Sequence, residues 1–355
     1  MEILNLTLSN IRNFAHKNLE FDKKLTVIIG VNGSGKSNIL EAISLLCGVR
    51  STRVETDLDL VAFGKSEAKI EGKVQNEGEK HELVINFQVI DERTIRKSYF
   101  INSLKKRLAD FVPLVAVVEF RPQDLDLISG SPSLRRREID IRLSSVDRDY
   151  WRNLSSYNKI VVRRNRILWR ISEGKSKPLE LNFWDERLSE HGNYISKKRE
   201  EFFEFLNFIE PTFVQISTGE RKYLKGLTWQ LKQSLVSVEK LLKNRERDIA
   251  AGVTLSGPHR DDFRFMYKER DLDYFGSRGQ QRLAVLALKL AELEYFRTIR
   301  NVRPILALDD IFSELDWEHR ETVLSVIGNQ QTIITAAEVE SIPREIFKKA
   351  KIVEL

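Results

Sequence analysis

A single cysteine, Cys47, excludes a disulfide within the chain and any thiolate cluster that could hold zinc, and this usage fits a reducing compartment. No apolar run approaches the roughly 18 residues that cross a bilayer. The first residues place an acid at Glu2 and show no signal-peptide architecture. The expectation is a soluble, cytoplasmic protein with no membrane partner. Fixed-period repeats, low-complexity tracts and sustained heptads are also missing, which excludes a solenoid or a long coiled-coil rod. A net charge of +6 is mild for 355 residues and does not by itself imply nucleic acid. That length holds about two domains on the usual prior, ample for a core that folds without staples.

What is present begins with Gly30-Val31-Asn32-Gly33-Ser34-Gly35-Lys36-Ser37, fed by an apolar strand from Thr26 and followed by a helical stretch from Asn38. Glycines let backbone N–H groups approach phosphate oxygens, and the helix start presents the positive end of its dipole. In such a loop Lys36 bridges the β- and γ-phosphates of ATP or GTP, and the Ser37 hydroxyl ligates Mg2+. A second half-site is expected where the apolar run Ile305–Leu308 ends in Asp309-Asp310. Strands of a parallel sheet buried on both faces read as continuous apolar runs, and ligands sit beyond their carboxyl ends. Asp309 is then a Walker B carboxylate holding Mg2+ through water, and Asp310 a group that polarises attacking water; a solvated turn is the plain alternative. A third stretch, Ser277-Arg278-Gly279-Gln280-Gln281-Arg282, opens an apolar helix; it reads as a further anion site or as an ordinary N-cap.

Elsewhere Ala68–Val74, Leu83–Ile90 and Ser98–Ile101 read as strands of an antiparallel side sheet, and Leu114–Val118 as a second buried strand. From about Ser133 to Asp248 the chain turns helical and highly charged, with breaks at Gly174–Pro178 and at Glu210-Pro211-Thr212. Between Ser131 and Arg170 eleven Lys or Arg face four acids, with Tyr150, Trp151, Tyr157 and Trp169 interleaved. Arg pairs bidentately with phosphate, so Arg135, Arg136, Arg137, Arg163 and Arg164 are candidate DNA contacts. The alternative is a solvated helix face with its aromatics turned to the core.

Taken together, Asn10-Ile11-Arg12-Asn13-Phe14, the loop through Ala42, the Ser277–Arg282 stretch, and Leu308–Asp316 resemble the RecF family of bacterial recombination-mediator ATPases, an SMC-like ABC-type class. Gly130-Ser131-Pro132 running into Arg135–Arg137, and Ser256–Asp262, are further marks, and it is Gln280-Gln281-Arg282, the Gly257-Pro258-His259-Arg260-Asp261-Asp262 segment and the total length that narrow the resemblance to that family. It implies an α/β, ABC-type P-loop ATPase head of mixed sheet and helices with an antiparallel side sheet, formed by residues 1–130 and 249–355. Residues 131–248 would be an inserted helical arm. It implies a nucleotide site of Arg12, Gly30, Asn32, Gly33, Ser34, Gly35, Lys36, Ser37 and Asn38, completed across a dimer by Ser277, Gly279, Gln280 and Asp316. Gln123 takes the place of the ABC-type Q-loop glutamine, contacting Mg2+ with Ser37 and Asp309, and Gln123 and Asp310 serve catalysis.

The implied activity is weak, DNA-stimulated ATP hydrolysis in a protein whose main role is DNA binding in recombinational repair. ATP closes a homodimer on duplex DNA near single-strand gaps, and mediator proteins of the RecO/RecR type help load RecA. Two departures point to a slow switch rather than a motor: Asp310 stands where many ABC ATPases carry glutamate, and Thr335 where they carry histidine. Other readings are an SMC-like ATPase in phage defence and a regulator that binds nucleotide without hydrolysing it. His259 reads as structural; the role of Ser256–Asp262 stays open.

Overall fold

The computed structural model describes residues 1–49, 51, 56–111, 114–217, 226–314, 320, 323–324 and 327–355. In chain order it forms β1 (Glu2–Ile11), β2 (Phe14–Glu20), β3 (Leu25–Ile29), α1 (Lys36–Leu46), β4 (Glu67–Asn76), β5 (Glu79–Asp91), β6 (Thr94–Ile101), β7 (Leu104–Lys106) and β8 (Val117–Phe120). Then come α2 (Pro132–Val146), α3 (Arg148–Ser172), α4 (Leu181–Ser217), β9 (Leu227–Lys232), β10 (Asp262–Tyr267), β11 (Arg270–Asp271) and α5 (Arg278–Arg300). Strands β12 (Ile305–Asp309), β13 (Thr332–Ala336) and β14 (Lys351–Glu354) follow. Two compact units result. The first holds Met1–Asp124, the end of α4 from Pro211, and Val285–Leu355; the second holds Leu125–Glu210 and, among the described residues, 226–284.

Two sheets build the first unit. In one, β2-β1-β4-β5-β6-β7 pair antiparallel; in the other, β14-β3-β13-β12-β8 pair in parallel. Every residue of β12 and β13 is buried, as expected for β-branched and apolar runs covered on both faces. Strand β1 instead buries Ile3, Leu6, Leu8 and Ile11 between more exposed neighbours, its alternation broken by a register shift between Ile3 and Asn5 and by left-handed Asn10. One core joins these side chains to Ile39, Ile43 and Leu46 of α1, Ile70 and Ile85 of the antiparallel sheet, and Ile28, Ala307 and Ile333 of the parallel one. Helix α1 thus fills the space between the sheets. It approaches β4 so closely that a Cβ at Gly72 would lie 2.5 Å from Leu46 Cδ1. Buried Gln331 clamps the far end: its Oε1 accepts from Ile3 N, and its Nε2 donates to the carbonyls of Ile3 and Asp22.

The second unit carries α2, α3, most of α4 and an antiparallel β11-β10-β9 sheet. Its interior is held by ions as well as apolar contacts. Fully buried Arg199 donates to Asp140, Asp261 and the Pro258 carbonyl, each at 2.7 Å, and to the Tyr150 hydroxyl at 3.1 Å. Arg164 pairs with Asp185 and Asp248, both at 2.7 Å, and donates to Thr254. Buried ions persist only where such partners replace the lost water. Burial works against the Arg199 charge, yet Asp140, Tyr150 and Asp261 outweigh it and hold its pKa above the ordinary value. The Ser256–Asp262 segment is therefore a structural hub. His259 Nε2 donates to the Thr254 carbonyl and Nδ1 lies 2.7 Å from the Tyr157 hydroxyl; burial depresses the ring's pKa to about 4, which keeps it neutral near pH 7.

Four expectations meet a different outcome. Strand β9 lies inside the stretch read as helical; α4 runs through Pro211 to Ser217 rather than breaking there; and the buried strand begins at Val117, not Leu114. Residues 249–284, read with the head, cluster with the second unit. A proline removes one backbone donor but does not always end a helix. Among the described residues, no helix is long and apolar enough to cross a membrane.

Candidate nucleotide site

The loop between β3 and α1 lies at the carboxyl edge of the parallel sheet. Gly33 and Gly35 adopt φ of +86° and +107°, in the left-handed region that glycine tolerates. A Cβ at Gly35 would also sit 2.5 Å from Phe14 Cζ and 2.8 Å from the Asn13 amide. Asn13 steadies the loop from β2's side, donating to the Ser34 carbonyl and accepting from Asn38 Nδ2. Lys36 is buried and arches across the loop, its Nζ 2.6 Å from the Gly30 carbonyl and 3.1 Å from that of Val31. Asn32 and Gly33 are exposed.

Strand β12 delivers Asp309 beside this loop. Its Oδ1 accepts from the hydroxyls of Ser37 at 3.0 Å and Thr335 at 2.7 Å. Asp310, at φ +51°, donates its N–H to Thr335 Oγ1, which turns the chain sharply at the strand end. Two polar atoms here are buried without a partner, Asp310 Oδ1 and Ser34 Oγ. An unsatisfied buried acceptor is costly unless a ligand or water completes it. Ser37 and Asp309 converge as hard oxygen donors, a pair that suits Mg2+, which keeps several waters and binds through few protein ligands, and the unbonded Asp310 Oδ1 is left to meet a water. Among the described residues no cluster of His, Cys, Asp and Glu forms a metal cage of its own.

Strand β8 lies beside β12, and Gln123 follows it, exposed at the same sheet edge. The turn beneath it is fixed by charge: Asp124 accepts from Arg121 at 2.9 Å and pairs with buried Lys289 of α5 at 3.7 Å. Glu119, opposite Ala307 in the β8–β12 register, accepts from Ser44 of α1. Burial raises its pKa against the pull of Arg121, and Asp124 and Asp309 raise it further. Arg12 does not face the loop alone, because its guanidinium grips Glu41 bidentately at 2.9 and 3.0 Å and reaches the Asp59 carbonyl. Glu41 and Ser51 are joined as well.

In the second unit, Ser277 and Gln280 form a reciprocal cap at the start of α5: Gln280 N donates to Ser277 Oγ and Ser277 N to Gln280 Oε1. Ser277 is exposed, and Gly279 opens onto space with only Ser277 Oγ 4.0 Å from a built Cβ. Asp316 lies outside the described residues.

The candidate DNA contacts divide. Arg164 is 0% exposed and spent on Asp185 and Asp248. Arg135 is buried too, bidentate to Asp262 at 2.6 and 3.0 Å with three more bonds to the carbonyls of Leu127, Ile128 and Gly130. Neither has a face left for phosphate, which corrects the expectation for both. Arg136 is half-buried and donates to the Asp261 carbonyl, and Arg137 is likewise partly covered. Arg163 stands exposed, its guanidinium 5.4 Å above the Trp184 ring. Tyr150 and Tyr157, interleaved with the cluster in sequence, are core residues. Asn13, Glu41 and Glu119 enter the site from outside the sequence expectation; Asn13 borders the phosphate loop only because β2 folds back beside it.

Comparison with known proteins agrees with this geometry. The family model described as RecF/RecN/SMC N terminal domain matches residues 2–352. An Smc head domain from Pyrococcus furiosus superposes with TM-score 0.52 at 17% identity, covering 99% of this chain and 92% of that one, and shares the fold. The protein is thus an SMC/RecF-class, ABC-type ATPase head in fold, with mixed α/β layers and parallel and antiparallel sheets. DNA replication and repair protein RecF of Moorella thermoacetica is 38% identical over 360 residues, covering 100% of this chain and 95% of the relative. That of Bacillus cytotoxicus is 35% identical, with 100% and 97% covered. A solved structure of the recombination mediator protein RecF-ATP in the RecFOR pathway superposes with TM-score 0.86 at 29% identity, covering 96% of this chain and 93% of that one. This chain belongs to the RecF family.

Proposed function

We propose that the protein binds ATP with Mg2+ at the β3–α1 loop and closes as a homodimer on DNA during recombinational repair. The observation that carries this reading is the convergence of Ser37, Thr335 and Asp309 beside the loop, with Asp310 Oδ1 buried and unbonded next to them. The loop N–H groups and the α1 dipole receive the phosphates, and Gly30, Asn32, Gly33, Ser34, Gly35 and Asn38 shape that cradle. Lys36 trades the carbonyls of Gly30 and Val31 for the β- and γ-phosphates. Ser37, Asp309 and Gln123 hold Mg2+, which supplies charge neutralisation of the phosphates.

Asp310 orients the attacking water and takes its developing positive charge, and Gln123 fixes that water from the neighbouring strand. The short Asp310 side chain makes turnover slow. Ser277, Gly279 and Gln280 of a second copy cap the γ-phosphate, since the exposed start of α5 offers N–H groups and a hydroxyl; Arg12 and Asp316 are assigned to the nucleotide site on the family resemblance. The second unit carries the DNA contact, with Arg163 and the exposed basic side of α3 in place of the buried arginines. Duplex DNA beside a single-strand gap is the substrate, and mediators of the RecO/RecR type are the partners that lead to RecA loading. Relatives named for DNA replication and repair, and for the RecFOR pathway, support this.

Light scattering with and without ATP and Mg2+ tests the reading. The wild type should shift to a dimer on ATP and Lys36→Ala should stay monomeric without binding nucleotide. Unchanged ATP affinity in Lys36→Ala removes the loop from the site.

A further inference from the structure

The turn of the α3–α4 hairpin carries an unusual surface. Trp169 in the last turn of α3 is 53% exposed and Phe183 in the first turn of α4 is 56% exposed, with Leu179 exposed between them. Large aromatic rings normally bury most of their area. These are not spare core residues, because α3 already fills its inner face with Tyr150, Tyr157, Ile160 and Leu168. Arg163, Arg166 and Arg170 recur on the outer face at intervals of three and four residues, the spacing that stacks side chains along one side of a helix. Cations also stand over the rings, Lys175 5.4 Å from the Trp169 centroid and Arg187 5.8 Å from that of Phe183. Between 159 and 187, seven exposed Lys or Arg accompany three exposed Glu.

We propose that this hairpin end is a single-strand stacking platform. Trp169 and Phe183 each take the face of an unstacked base, and the surrounding arginines hold the adjoining phosphates. Exposed aromatics set among cations are what single-stranded nucleic acid requires, since any base offers a π-face while the backbone follows positive charge. Duplex DNA hides those faces in its own stack and leaves the rings nothing to do. The cations now over the rings are themselves phosphate ligands, so an arriving base displaces each toward the backbone rather than into solvent. A protein partner is the less fitting occupant, because an interface core excludes charge and these rings are surrounded by it. The inference rests on the DNA-binding reading and deepens it: the arm would grip the duplex while its tip reads the unpaired strand of a gap.

The test uses the full-length protein with ATP and Mg2+ and follows fluorescence anisotropy of a labelled oligo-dT, a blunt duplex and a gapped duplex. Trp169→Ala with Phe183→Ala should weaken oligo-dT binding at least tenfold per ring, about 1.4 kcal/mol each. Duplex affinity should stay within twofold, and the log-log salt slope on oligo-dT should not change, since no charge is lost. Arg163→Ala with Arg166→Ala should instead flatten that slope by about 0.7 per contact. Trp169→Phe, which keeps a ring, should retain affinity and guards against a folding defect. Unchanged oligo-dT binding in the double alanine variant overturns the proposal and assigns the rings to a protein contact. An equal loss on the duplex overturns it as well. Wild-type binding to duplex but not to oligo-dT sinks the platform alone, whereas binding to neither sinks the DNA reading with it.

Discussion

Replacing Arg199 by Met isolates the buried ion network of the second unit. The guanidinium satisfies Asp140, Asp261, the Pro258 carbonyl and the Tyr150 hydroxyl, and it is almost wholly removed from water. Methionine fills similar volume but leaves two carboxylates without the guanidinium that pairs with both, which costs about 3–5 kcal/mol when one partner of a buried pair is removed. For a unit of this size each kcal/mol shifts the melting midpoint by roughly 2–4 °C, so the expected fall is on the order of 6–20 °C. Since the loss is that of an orphaned charge, Asp261→Asn in the same chain should regain a large part of it, the amide oxygen still accepting from Ser234 N as the carboxylate does. Differential scanning calorimetry of the two single variants and the double variant, with ATP affinity as a control, measures this. A midpoint within 2 °C of wild type for Arg199→Met, or a double variant whose loss is the sum of the singles, refutes the reasoning.

The remaining predictions use the same logic. Gly35→Ala forces a Cβ onto Phe14 and Asn13 at a positive φ, so ATP affinity measured by calorimetric titration should drop at least tenfold; undiminished binding would show that the loop adapts. Asp310→Asn should keep ATP and Mg2+ while phosphate release falls by a hundredfold or more, trapping the ATP dimer; wild-type turnover would remove Asp310 from catalysis. His259 is neutral in the fold with its pKa lowered to about 4 from 6.5 by burial, so the unfolded chain binds the extra proton. Stability should therefore be full above pH 7 and decline as pH falls through 6.5 toward 4, by about 2–3 kcal/mol in all. Urea midpoints against pH should lose that slope in His259→Gln, and an unchanged slope would place the titration elsewhere.

The phosphate loop and the Asp309-Asp310 pair were legible because local chemistry fixes them: a glycine loop between strand and helix, and acids ending an apolar run. The arginines were not. Arg163 and Arg164 are neighbours in sequence, but one step along a helix turns a side chain by about 100°, so one meets solvent and the other the core. What decides between them is Asp185 and Asp248, which lie 21 and 84 residues farther along the chain. Position 135 follows the same rule, its partner Asp262 being 127 residues away. Strand β9 carries its own signal in the alternation of Leu227, Trp229 and Leu231 with polar residues, but charged flanks mask it. Glu119 sits in an apolar strand and gives no hint, from sequence, of facing Ser44.

The pairing of β3 between β13 and β14 has a consequence for how the chain is made. Gln331 and Ile3, which clamp this end of the structure together, are 328 residues apart. At a synthesis rate of about 5–20 residues per second, β3 waits on the order of 15–60 s on the ribosome before its sheet neighbours emerge. The six strands of the antiparallel sheet all lie within residues 2–106 and can pair first, sheltering the strand that feeds the phosphate loop. The candidate site is completed only when translation is nearly done, because Asp309 and Thr335, which meet Ser37 beside the loop, are among the last residues to emerge.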